Sequence, residues 1–136
     1  MKLTIACDFD GVVHSYTSPW TKVLDINDPP VPGAIEWLTA VALDPEIRVI
    51  IHSCRFAMEP EAAWYWEATP LRPRIRALQD WLHHHGMTAK AIAGVEVWAY
   101  RGKPHATVYL DDRGFRFEGD FPSPEALRAL KQWNKP

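Results

Sequence analysis

Hydrophobic and polar positions along the chain switch between two periods. Residues 2–7, 47–52 and 106–110 form short runs rich in apolar and β-branched side chains, which predicts strands. The run 47–52 (Ile-Arg-Val-Ile-Ile-His) is mostly apolar, as a strand covered on both faces should be. Weaker runs at 95–98 and 115–117 predict two further short strands. Between them, Ile35, Leu38, Val41 and Ala42 recur at helical spacing within 33–43, with Pro32 where a helix start tolerates it. Ile75, Leu78 and Leu82 mark a helix over 73–85 that Gly86 stops. Residues 61–67 read as a short aromatic-rich helix. Ser123 as N-cap and Pro124 at the first helical position open a last helix through residue 133. Ser-Pro, Asp-Pro and Pro-Pro pairs make 12–32 a loop or small flap.

Alternating strands and helices predict an α/β fold: a mainly parallel sheet with helices on both faces, forming a single domain over 1–136. Right-handed crossovers then bring the carboxyl ends of the strands to one edge, where such sheets bind ligands. The length of 136 residues suits one domain, and such a chain buries roughly 70% of its unfolded surface. A formal charge of −2 gives no strong pull toward nucleic acid or anionic membrane. Two cysteines make no disulfide framework, and no apolar stretch approaches the roughly 20 residues of a membrane helix. A reduced cytoplasmic setting is the expectation.

Three strands are apolar to the end and polar immediately afterwards: Asp8 and Asp10 follow the first, Ser53 the second, Asp111 and Asp112 the third. In a parallel sheet all five residues meet in one crevice, and Lys103 lies in the loop before the third strand. Four carboxylates so placed repel one another, and a divalent cation relieves the repulsion. Oxygen ligands with room for phosphate oxygens suit Mg²⁺ better than zinc. With Lys103 and the Ser53 hydroxyl, the set is complementary to a phosphoryl group. Asp8 is placed to attack phosphorus, and Asp10 to protonate the leaving oxygen and then activate water. Gly11 lets the backbone turn beside a ligand.

Residues 5–12 (Ile-Ala-Cys-Asp-Phe-Asp-Gly-Val) resemble the first motif of the haloacid dehalogenase (HAD) superfamily of phosphohydrolases. Residues 49–53 resemble its second motif, Lys103 its third and Tyr109-Leu110-Asp111-Asp112 its fourth, in the family's order over residues 5–112. The resemblance implies a Rossmann-like three-layer sandwich, an Asp8 nucleophile, an Asp10 acid/base and phosphate contacts from Ser53 and Lys103. It also implies Mg²⁺ held by Asp8, the Asp10 carbonyl, Asp111 and Asp112. Lys103 lies only eight residues before Asp111, a short spacing similar to that of nucleotide and polynucleotide-end phosphatases of the superfamily. The segments between motifs leave room for a minimal cap at most. The expected substrate is a phosphate monoester, with nucleotides or nucleic-acid ends leading. The alternatives are a phosphate-binding regulatory module with little turnover, or a phosphotransferase.

Other residues carry weaker signals. Arg55 and Arg113 each follow a motif, where they would bind substrate or form a surface salt bridge. His83, His84 and His85 read as helix C-terminal residues rather than a metal cluster. His14 reads more as structural than as a substrate contact, Cys7 as core, and Arg72, Arg74 and Arg76 as a solvated helix start. Trp64, Trp66, Trp81 and Trp98 read as core or partly buried.

Overall fold

The computed structural model describes residues 2–56, 71–100 and 102–134. Its elements run β1 (Leu3–Cys7), α1 (Ala34–Leu43), β2 (Ile47–Ile51), α2 (Leu71–His84), α3 (Ala89–Ala93), β3 (Val95–Val97), β4 (Val108–Leu110) and α4 (Pro124–Arg128). The four strands form an all-parallel sheet in the order β3-β2-β1-β4. Side chains alternate across a strand. Ile5, Cys7, Val49 and Ile51 therefore point to one face, where they join Ile35, Leu38 and Val41 of α1, Leu78, Trp81 and Leu82 of α2, and Ala91 of α3 in one core cluster. The opposite face carries the exposed Arg48–Glu96 ion pair between β2 and β3.

The helices form for local reasons. Gly33 at φ 84° turns the chain into α1 without a side-chain cap. At the end of α2, Met87 donates to the Leu82 carbonyl (3.0 Å) and Gly86 adopts φ 101°, a left-handed helix stop. α3, which the hydrophobic pattern does not predict, is capped by Thr88, whose hydroxyl accepts from the Ala91 amide. Gly94 ends α3 close to α1: a Cβ there would overlap the Ala42 carbonyl oxygen.

Several boundaries differ from expectation. Residues 115–117 form no strand; β4 is the sheet edge, and Phe115 and Phe117 are exposed beside it. The last helix ends at Arg128 rather than reaching residue 133. None of its residues is buried, and a short helix without a packed face has little to extend it. The expected helix over 61–67, with Trp64 and Trp66, falls outside the described residues. Among the described residues, no helix is long and apolar enough to cross a membrane.

Candidate active site

The register fixes where the strands stop. Cys7 pairs with Ile51 and Leu110, and Ile51 pairs with Val97, so these four residues form one row across the sheet. One residue further, Asp8 donates to the Leu110 carbonyl (2.9 Å), His52 to that of Cys7 (2.8 Å) and Trp98 to that of Ile51 (2.9 Å). Asp8, His52, Trp98 and Asp111 thus begin the carboxyl edge together. Asp112 follows Asp111 and turns back over the loop after β1, its carboxylate lying against Gly11. Gly11 has φ 87°, and a Cβ there would overlap Asp112 Oδ2. Only glycine meets both conditions without strain.

Asp8, Asp111 and Asp112 each present a carboxylate oxygen, and these oxygens lie within 4.8 Å of one another. Burial, then the contact with the Asp112 carboxylate and the charges of Asp111 and Asp112, push the Asp8 carboxyl up from 3.8 to about 7, although the Phe9 amide donates to Asp8 Oδ1 (2.8 Å). Asp112 Oδ1 is buried without a hydrogen-bond partner among the described residues. The donor set is all oxygen, strongly anionic and short of positive charge, which fits a hard divalent cation such as Mg²⁺.

Asp10 stands two residues from Asp8 in a different environment. The buried Arg55 guanidinium grips its carboxylate through both oxygens, Nε to Oδ2 (3.1 Å) and Nη2 to Oδ1 (2.9 Å). Nη1 of Arg55 donates to the carbonyls of Val23 (2.7 Å) and Asp25 (3.1 Å), and the Trp20 ring covers the guanidinium. His14 Nδ1 lies 2.7 Å from Asp10 Oδ1. Burial raises the Asp10 carboxyl, but the His14 and Arg55 hydrogen bonds and the Arg55 charge outweigh it and hold it below the usual range. Arg55, read from the sequence as a substrate ligand or a surface ion pair, is committed to Asp10 and the flap.

Ser53 is buried, and its Oγ accepts from the Arg55 amide (3.2 Å) in the turn after β2. Lys103 is exposed, its Nζ 3.7 Å from the centroid of the Tyr109 ring on β4. Its charge, after burial, lowers the pKa of His52, on the same edge. Among the described residues no ion pair joins Lys103 to the aspartates. His83 and His84 close α2, and Trp81 packs its edge on Phe9. Cys7 is fully buried; burial, then the Asp8 charge, pushes its thiol up to about 12.

Four further participants take roles that the sequence reading does not assign to them. His14 is buried and stacks on Phe9 at 5.5 Å. Asp28, in an Asp-Pro-Pro stretch that reads as a turn, donates its amide to His14 Nε2 (3.0 Å). Trp133 donates Nε1–H to the Gly11 carbonyl (2.8 Å), and Asn134 donates to that of Ser15 (2.8 Å), so the C-terminal segment straps the same loop. Only the i, i+4 spacing of Asp10 and His14 hints at their contact. No family model, curated protein or solved structure matches the chain.

Proposed function

We propose that the protein is a Mg²⁺-dependent phosphatase of the HAD type, hydrolysing phosphate monoesters through an aspartyl-phosphate on Asp8. The observation that carries this reading is the convergence of Asp8, Asp111 and Asp112 at the carboxyl edge of a parallel sheet, beside an Asp10 held by its own cation. The four motifs in order support it, as does the all-parallel sheet; the resemblance extends the sheet to a three-layer Rossmann-like sandwich. Asp8, Asp111 and Asp112 would hold Mg²⁺, with the Asp10 carbonyl supplying a further oxygen. The bound cation would neutralise charge on the phosphoryl oxygens.

Asp8 Oδ attacks phosphorus, forming one P–O bond while the bond to the leaving oxygen breaks and its electron pair stays on that oxygen. A monoester monoanion brings one proton, which passes through Asp10 to the departing alcohol. Asp10 then accepts a proton from the water that attacks the aspartyl-phosphate and hands it to the departing phosphate, which restores both Asp8 and Asp10 as carboxylates. Ser53 and Lys103 are assigned to the phosphoryl oxygens, and nucleotides or nucleic-acid ends are the leading substrate class. A phosphate-binding module with little turnover is the second reading, favoured by the engagement of Asp10 with Arg55.

The test is hydrolysis of an aryl phosphate by wild type and Asp8→Asn, each with Mg²⁺ and with EDTA. The phosphatase reading expects metal-dependent turnover that falls by about 10⁴-fold or more in Asp8→Asn. Equal activity in the variant would remove Asp8 as nucleophile. Phosphate binding without turnover, by calorimetry, would favour the binding module.

A further inference from the structure

A carboxylate offers about four acceptor positions, two on each oxygen. Among the described residues, three of those on Asp10 are occupied: Oδ1 receives His14 Nδ1 and Arg55 Nη2, and Oδ2 receives Arg55 Nε. Among the same residues one position is left over, on Oδ2, and the Asp10 side chain is 15% exposed. The His14 tautomer follows from its other nitrogen. The Asp28 amide has only a proton to offer, so Nε2 is the acceptor and Nδ1 carries the N–H that points at Asp10. The ring cannot swing, because it lies between Phe9 (stacked, 5.5 Å) and the edge of Trp81 (5.7 Å). Asp28 is held in turn by Ser18, whose amide and hydroxyl bind its two oxygens at 2.9 and 2.6 Å, and by Trp81, whose Nε1–H donates to the Asp28 carbonyl (3.2 Å).

We propose that His14 is a positioning residue: its Nδ1–H, fixed in that tautomer by the Asp28 main chain, holds Asp10 so that a single Oδ2 position exchanges the proton with the leaving oxygen and with water. The proposal rests on the phosphatase reading above. His14, 1% exposed, touches no substrate and acts only through Asp10. Arg55 supplies charge and a two-point grip, but a planar fork can still rock about its carboxylate. His14 is the third point that fixes the carboxylate plane. The flap 12–32, through His14 and Asp28, is therefore part of the site's geometry and not merely its border.

A positioned proton donor matters in proportion to the basicity of the leaving group. A nitrophenolate departs as the anion near neutral pH and needs no proton; an alkoxide does. The experiment measures kcat/KM of His14→Asn and His14→Gln on a nitrophenyl phosphate and on an alkyl phosphate, glycerol phosphate. Asparagine keeps an N–H on the Asp10 side, whereas glutamine reaches the Asp28 side and withdraws the donor from Asp10. The alkyl-to-aryl ratio of kcat/KM should fall by about 10- to 100-fold in His14→Gln, and by less than about a third of that factor in His14→Asn. A ratio within threefold of wild type in both variants, or an equal fall in both, would overturn the proposal. Failure of the phosphatase reading looks different: wild type itself would hydrolyse neither ester.

Discussion

Asp8 and Asp10 are separated by a single residue at the start of the same loop, yet their surroundings have opposite electrostatic sense. Around Asp8, two more carboxylates crowd in with no positive partner among the described residues, and its carboxyl is pushed up to about 7. Around Asp10, a buried arginine and a histidine complete the coordination, and its carboxyl is held low. On the proposed reading, the first half takes its cation from solution, whereas the second has Arg55 as its built-in cation. That difference would suit the two roles proposed for them: a nucleophile gains from a charge that arrives with a metal, whereas a proton carrier gains from one fixed geometry.

Breaking the Asp10 half should have the largest effect on stability. Arg55→Met leaves the Asp10 carboxylate with His14 as its one partner among the described residues, and loss of one partner of a buried pair costs about 3–5 kcal/mol. Urea denaturation should show this loss, and the flap carbonyls of Val23 and Asp25 lose their donor as well. A cost below about 1 kcal/mol would mean that the pair is solvated and the two halves are alike.

The Asp8 half predicts a pH dependence of opposite slope. A carboxyl raised in the folded state binds its proton more tightly there than in the unfolded chain, so its contribution is present below 3.8 and lost as pH rises to about 7. Asp10, held low, contributes above the ordinary carboxylate range and loses its contribution as pH falls. Metal-free protein should therefore lose stability from Asp8 between about pH 4 and 7. Saturating Mg²⁺ should restore about 2–3 kcal/mol at pH 8 and much less at pH 5, where protons compete for the same oxygens. Thermal melts with Mg²⁺ and with EDTA at both pH values read this, and an equal Mg²⁺ shift at pH 5 and 8 would argue against the carboxylate trio as the binding site. Gly11→Ala is the smallest perturbation. Positive φ alone costs about 1–2 kcal/mol, and the new Cβ displaces Asp112 from its place against the loop. Mg²⁺ affinity should fall by about 10-fold, read by titration, while the Asp10 half keeps its pairing.

Much of this was legible from pattern. The apolar runs ending in Asp8, Ser53 and Asp111 mark three strands whose ends meet, and the parallel register places Asp8 and Asp111 in one row as the topology requires. Short-range features were readable wherever a side chain's period or cap settles its element, as with α1 and α2. Residues 115–117 and 129–133 were misread because aromatic alternation and helical spacing describe a face, not whether anything covers it. The role of Arg55 was hidden because a residue after a motif points to a ligand or inward depending on a flap 30 residues away.

What the chain determines by itself, then, is the strands β1, β2 and β4, their polar ends and hence the place where carboxylates gather, since side-chain periodicity and crossover handedness are local rules. Tertiary structure decides which of those carboxylates is neutralised. That choice rests on contacts of Arg55 and His14 with residues from the loop after β1, the flap and α2, whose distances and tautomers are set by packing and burial rather than by neighbours in sequence.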